Sequence, residues 1–79
     1  MPTKFNVRDV ANLIAYLKDE SLTLQEVAQK MDRSVAGVIQ KLTEIAVEQI
    51  KRGADPEEVK KETRARQEDI DLLMNLQDL

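Results

Sequence analysis

Seventy-nine residues are enough for one small domain, which buries only roughly 60 to 65% of its unfolded surface on folding. The chain has no cysteine and no histidine, which excludes disulfides, zinc sites, Ser/His/Asp triads and Cys/His pairs. Its net charge of −3 divides unevenly: eight basic residues face seven acidic ones up to Gly53, and four face eight from Ala54 onward. A nucleic-acid binder usually shows a basic patch, so the balance favours one only if the cations cluster in space.

No apolar run approaches the roughly 20 residues that cross a bilayer, and MPTKFNVRD is too polar for the apolar region of a signal peptide. The expectation is a soluble, intracellular protein with no membrane partner.

Three helix starts are written alike. Asn6 is placed to cap a first helix, with Asp9 at its third position and Phe5 and Val10 spaced as a hydrophobic staple. That helix is expected from about Val7 to Lys18, turning Val7, Val10, Leu13, Ile14 and Leu17 inward at i, i+3, i+4 spacing. Tyr16 is expected at the edge of the core. Thr23 repeats the capping device with Glu26 and opens a second helix to Lys30 or Met31, burying Leu24, Val27, Ala28 and Met31. Asp32 and Arg33 form a tight turn, and Ser34 caps a third helix. This third helix buries Val35, Val38, Ile39, Leu42, Ile45, Ala46 and Ile50, and stops at Gly53 after the cations Lys51 and Arg52. Asp55 and Pro56 open the next helix, with Glu58 as the capping-box partner.

The remainder reads either as one helix of about twenty residues or as two broken near Thr63 to Arg66, and the second reading is favoured. An offset of 32 matches Glu26 to Glu58, Val27 to Val59, Val38 to Ile70 and Leu42 to Met74, which suggests a degenerate copy with a thinned core. In that copy Lys60, Thr63 and Gln67 stand opposite Ala28, Met31 and Val35. Ile70, Leu72, Leu73, Met74, Leu76 and Leu79 form an apolar face too wide for solvent alone, so it packs on the first three helices or on a second subunit. The expected architecture is all-α: a small bundle with a three-helix domain over 1–53 and a C-terminal helical extension over 54–79.

The stretch Thr23 to Leu42 has what a groove-reading pair of helices needs. Ala28 is a small residue where two helices approach, Asp32 and Arg33 make the turn, and polar residues occupy the outward positions of the third helix. LTLQEVAQKMDRSVAGVIQKL resembles the pattern shared by sigma-factor-like and Myb-like helix-turn-helix modules, L-x-x-E-V/I-A-x-x-hydrophobic-x-R-S-x-x-A/G-V/I-x-x-K/R-L. The continuation LTEIAVEQIKRGADPEEV is similar to small helix-turn-helix proteins encoded by large DNA viruses and phages. Asp32 stands where many such turns have glycine, and the tryptophans of true Myb repeats are missing.

Carried over by position, the resemblance implies that Arg33, Ser34, Gly37, Gln40 and Lys41 contact double-stranded DNA, in a viral or phage regulator or genome-organising protein. A viral source implies the host nucleus, a virus factory or the virion as its location. Lys51 and Arg52 read either as phosphate contacts or as a plain helix C-terminus. Gly37 implies a close approach, by helix 1 or by a DNA backbone, because glycine inside a helix costs about 1 kcal/mol relative to alanine. Ile70, Leu73, Met74 and Leu76 are the expected self-association residues of a homodimer.

The competing reading is a protein-interaction or virion structural module that uses the C-terminal apolar face without DNA. Glu68, Asp69 and Asp71 lack the D-x-D-x-D-G loop of a calcium site. No nucleophile and base are placed to form an active site, so no enzyme activity, cofactor, metal or small-molecule substrate is expected.

Overall fold

A computed structural model describes residues 5–77, and within them the backbone forms five helices: α1 Val7–Leu17, α2 Leu24–Lys30, α3 Val35–Lys51, α4 Pro56–Thr63 and α5 Gln67–Gln77. Leu79 lies outside the described residues. No described helix is long and apolar enough to cross a membrane.

The helix starts follow from side chains that satisfy the free backbone N–H groups of a first turn. The Asn6 side-chain oxygen Oδ1 accepts from the Asp9 N–H at 2.8 Å, and the Asp9 carboxylate accepts from the Asn6 N–H at 3.2 Å. Thr23 and Glu26 repeat this reciprocal box at 3.1 Å each way. Ser34 caps α3 through the Gly37 N–H at 3.0 Å. The third box does not form: Asp55 caps α4 through the Glu57 N–H at 3.1 Å, at the second helical position, and Glu58 takes no part. Asn6→Ala and Thr23→Ala are each expected to destabilise the chain by about 1 kcal/mol, measured as a fall in the urea midpoint with unchanged slope. An unchanged midpoint in both variants would contradict the capping assignment.

The ends of α2 and α3 use one device with different residues. At α3, Gly53 takes φ +99°, its N–H bonds the Ile50 carbonyl at 3.0 Å and the Ala54 N–H bonds the Gln49 carbonyl at 3.0 Å. At α2, Asp32 takes φ 55°, its N–H bonds the Gln29 carbonyl at 3.1 Å and the Arg33 N–H bonds the Ala28 carbonyl at 2.9 Å. Both are Schellman caps, and a short polar Asp is one of the few non-glycine residues that tolerates the left-handed position.

α4 ends at Arg64, which also has positive φ, 60°. The offset of 32 therefore recurs in the backbone: α2 and α4 begin at 24 and 56, the left-handed residues are 32 and 64, and α3 and α5 begin at 35 and 67. Val59 and Ile70 are buried like their counterparts Val27 and Val38, while Met74 is only half-buried against buried Leu42. The copy is thinned as expected. Thr63 takes a core position by returning its hydroxyl to the Val59 carbonyl at 2.7 Å, and Lys60 pairs outward with Glu57 at 2.9 Å.

One core unites all five helices: Leu13, Leu17, Val27, Ala28, Val38, Leu42, Ala46, Val47, Val59, Ala65 and Ile70. α3 is the central helix, packed by α2, α4 and α5, and α1 packs on α2 and α4. The segment after Gly53 is thus part of the core. A Cα radius of gyration of 12.3 Å is close to the roughly 12 Å of a folded chain of this length, so α4 and α5 fold back onto α3.

Of the residues expected inside, Val10, Ile14, Leu24, Met31, Val35, Ile39, Ile45 and Ile50 are only half-buried, and burial departs further from the expected stripes at both ends of the scale. Val7 is 88% exposed, because it is the first residue of α1, where the chain has only begun to enter the bundle. Val47 and Thr43 are buried although neither was expected to be, since helices cover α3 on more than one side and widen its apolar stripe. The Thr43 hydroxyl donates to the Ile39 carbonyl at 2.7 Å, which makes its burial tolerable.

Arg64 ties the C-terminal part to the first helix. Its guanidinium donates to the carbonyl oxygens of Leu17 at 3.0 Å, Asp19 at 2.7 Å and Leu22 at 2.5 Å. These carbonyls lie at the C-terminus of α1 and in the α1–α2 connection, where acceptors lack helical partners and a cation is favoured. Beside them Asp19 accepts from the Ser21 hydroxyl at 2.6 Å and the Ser21 N–H at 3.0 Å. Those two bonds, with a smaller contribution from the Arg64 charge, hold the Asp19 carboxyl below its ordinary pKa.

Candidate nucleic-acid interface

α2, the Asp32–Arg33 turn and α3 are in the relative order that a groove-reading pair requires. Ser34, Ala36 and Gln40 are exposed at the start of α3, and Gly37 and Lys41 are half-exposed beside them. Continuing along the same side at i+4 spacing, the next exposed residues are Glu44 and Glu48. The stripe therefore changes from neutral to acidic after its second turn.

The cations expected to contact phosphate have intramolecular partners. Arg33 donates to Asp9 at 2.9 Å, and its guanidinium carbon lies 3.9 Å from the centroid of the Phe5 ring. With side-chain exposures of 16% for Arg33 and 28% for Asp9, this pair is the most shielded of these contacts. It joins the α2–α3 turn to the start of α1. The Lys41 ammonium stands 5.9 Å from the same ring and 3.6 Å from Glu44. Arg52 pairs with Glu48 at 2.6 Å, and Lys51 donates to the Gln77 side chain. Exposed i,i+3 and i,i+4 pairs are worth about 0 to 1 kcal/mol, so the Lys41 and Arg52 pairs are easily exchanged. The persistent effect is the presence of Glu44 and Glu48 between the cations.

Gly37 has a local explanation that neither expected reading supplied. A Cβ built on it would stand 3.1 Å from the Ser34 hydroxyl, with no atom of another helix within 4 Å. Glycine there leaves room for the Ser34 cap, and α1 does not pack against it.

The expected self-association residues separate into two groups. Ile70 is 1% exposed and fills the core, so its side chain is spent inside the chain. Of the two places expected for it, on the first three helices or on a second subunit, Ile70 takes the first, as the counterpart of core residue Val38, and is not available for self-association. Leu73 and Met74 are half-buried and pack on the core, whereas Leu76 at 60% and Leu72 at 61% are exposed one turn apart on α5. Tyr16 is half-buried against the core.

The acidic residues at the start of α5 are built around a cation from the chain itself. Arg66 donates to Asp69 at 2.8 Å and lies 3.4 Å from Glu68, while Asp71 accepts from the Gln67 side chain at 2.8 Å. No cluster of metal-ligating residues occurs among the described residues. A shallow cleft between the ends of α1 and α4 is lined by Leu17, Lys18, Glu20, Lys61, Glu62 and Arg64. Its charges alternate in sign, and Arg64 is committed to backbone carbonyls.

Comparison with known proteins finds no matching family model, curated relative or solved structure. The structural class that stands on these observations is a small all-α bundle in which a two-helix unit occurs twice, as α2–α3 and as α4–α5.

Proposed function

We propose that this chain is a protein-interaction module built on helix-turn-helix geometry, with the outward face of α5 as its contact surface. The observation that carries the reading is the different character of two equivalent faces. On α3 the outward positions are polar and acidic, with the cations paired, whereas on α5 Leu72 and Leu76 are about three-fifths exposed. An uncovered apolar pair on an acidic chain suits a protein partner better than a polyphosphate.

DNA binding is the second reading, favoured by the α2–turn–α3 arrangement and the exposure of Ser34 and Gln40 at the start of α3. In that case Gln40 would read a base edge, Ser34 and Gly37 would approach the groove, and Arg33, Lys41, Lys51 and Arg52 would face phosphates. The viral, regulatory or genome-organising setting belongs to this reading. An electrophoretic shift with duplex DNA at low salt separates the two, because non-specific binders have dissociation constants of roughly 1 to 100 µM even at physiological salt. No retardation is expected at about 10 µM protein on that scale. Retardation that disappears in Lys41→Glu would replace the interaction reading with the DNA one.

A further inference from the structure

We infer that the first turn of α1 is a releasable strap, latched by Asp9 to Arg33, whose opening uncovers the two cations nearest the start of α3, Arg33 and Lys41. The latch lies within the chain and acts under either reading of its outward faces.

The internal repeat shows why position 33 needs a latch. At the offset of 32 its counterpart is Ala65, which is buried in the core, so the fold turns this position inward. Arg33 puts a charge where the second unit has a small apolar side chain, and its own side chain is only 16% exposed. A charge so shielded is unfavourable unless it is paired. Asp9 supplies a partner at 2.9 Å, and the Phe5 ring covers the guanidinium at 3.9 Å. Both groups come from the turn that opens α1.

One oxygen serves two contacts. Asp9 Oδ2 accepts from the Arg33 guanidinium and also from the Asn6 N–H at 3.2 Å, which closes the capping box of α1. The guanidinium therefore holds in place the carboxylate that caps α1, and the cap holds that carboxylate against Arg33. Between Phe5 and Asp9 the residues Asn6, Val7 and Arg8 are all exposed, so these two side chains hold the turn down without broad packing. Helix ends held by so few contacts open locally at small free-energy cost. Lys41 is half-buried, with its ammonium 5.9 Å from the same Phe5 ring. Displacing Phe5 and Asp9 thus uncovers both cations together. Closed, the strap keeps the start of α3 neutral; open, it leaves two cations beside exposed Ser34 and Gln40.

Amide hydrogen exchange in the full chain tests the latch. The Asp9 and Val10 N–H groups, bonded to the Asn6 side chain at 2.8 Å and the Asn6 carbonyl at 3.0 Å, report on the strap. Those of Leu42 and Ala46, buried residues of α3, report on global unfolding. In the wild type, exchange at Asp9 and Val10 is expected to be nearly independent of added urea, and that at Leu42 and Ala46 to rise steeply with it, because local opening exposes little surface. Arg33→Met keeps an apolar stem over Phe5 and removes the charge. It is expected to speed exchange at Asp9 and Val10 roughly three- to tenfold, between the values for a charged hydrogen bond and an exposed ion pair.

Asp9→Asn, which keeps an oxygen for the cap, is expected to speed solvent exchange of the Arg33 side-chain N–H protons by a similar factor, since coupling between two sites is reciprocal. Unchanged Asp9 and Val10 rates in Arg33→Met overturn the latch, as do unchanged Arg33 rates in Asp9→Asn. A urea slope at Asp9 and Val10 equal to that at Leu42 and Ala46 overturns the strap itself, and that measurement needs no variant.

Discussion

Arg64→Ala is expected to lower the unfolding free energy by about 2 to 3 kcal/mol, taking hydrogen bonds to a charged donor at about 1.5 to 3 kcal/mol and allowing for partial replacement by water. The chain's whole stability is about 4 to 12 kcal/mol on a per-residue scale, so one surface-bordering side chain would account for a sizeable fraction. The physical reason is the position of its three acceptors. Leu17 ends α1, and Asp19 and Leu22 belong to the connection that follows; without the guanidinium the Leu17 and Leu22 carbonyls are left to water, while the Asp19 carbonyl keeps the Leu22 N–H at 3.1 Å.

Arg64→Lys should recover only part of the loss, because one ammonium does not reproduce a planar fork spanning three oxygens. Arg64→Gly separates a second effect: it removes the clamp but relieves the left-handed backbone, which costs an L-residue about 1 to 2 kcal/mol. The glycine variant should therefore be more stable than the alanine one. Urea unfolding followed by circular dichroism provides the comparison, and a loss below about 0.5 kcal/mol in Arg64→Ala, the range of an ordinary surface change, would show that the clamp contributes nothing.

Asp19 links this region to pH. Its folded pKa is lowered, chiefly by the two Ser21 bonds and then by Arg64. The associated stability is present above the unfolded carboxylate pKa and is lost as pH falls through the lowered folded value. Its direction is clear, but the group is fully exposed and the effect belongs to the surface.

Ile70→Ala is expected to cost about 2 to 5 kcal/mol, the range for truncating a buried aliphatic side chain to alanine. Leu72→Ala, two residues on, should stay within about 0.5 kcal/mol, as exposed positions do. The contrast tests whether α5 belongs to the core. Were α5 a detachable extension, both substitutions would leave the urea midpoint unchanged. The exposures of 1% and 61% instead require a large difference between neighbours on the same helix. For the same reason a chain shortened before Ile70 would be a poor test of self-association, since it would open the core along with the surface.

Much of the local architecture was legible in the sequence. The boxes of Asn6 with Asp9 and Thr23 with Glu26, the Ser34 cap and the stop at Gly53 all depend on residues within about four positions of one another, and short-range rules of spacing and capping suffice for such features. The break between α4 and α5, in contrast, was favoured only by the offset of 32. The offset of 32 was visible in four matched residues and is matched in the backbone by the left-handed pair Asp32 and Arg64. Of the candidate sites, the outward placement of Gln40 and Leu76 followed from helical period. Ile70 was left between two places, because the offset matched it to buried Val38 while the period of an apolar helix does not say which side meets the core.

What the chain alone determined is thus its class and punctuation: an all-α chain of four or five helices, five being favoured, with no strand signal, a tight turn at Asp32 and Arg33 and no histidine or cysteine chemistry. Tertiary structure decided which charges are committed and which apolar faces are covered. Arg64 bonds carbonyls 42 to 47 residues away, and Arg33 meets Asp9 across 24, distances at which no local pattern operates. α3 is central because α4 and α5 return to it, and that return buries Val47 and Ile70 while leaving Leu72 and Leu76 outside. Helix formation is set by neighbours in sequence; the identity of a surface is set by neighbours in space.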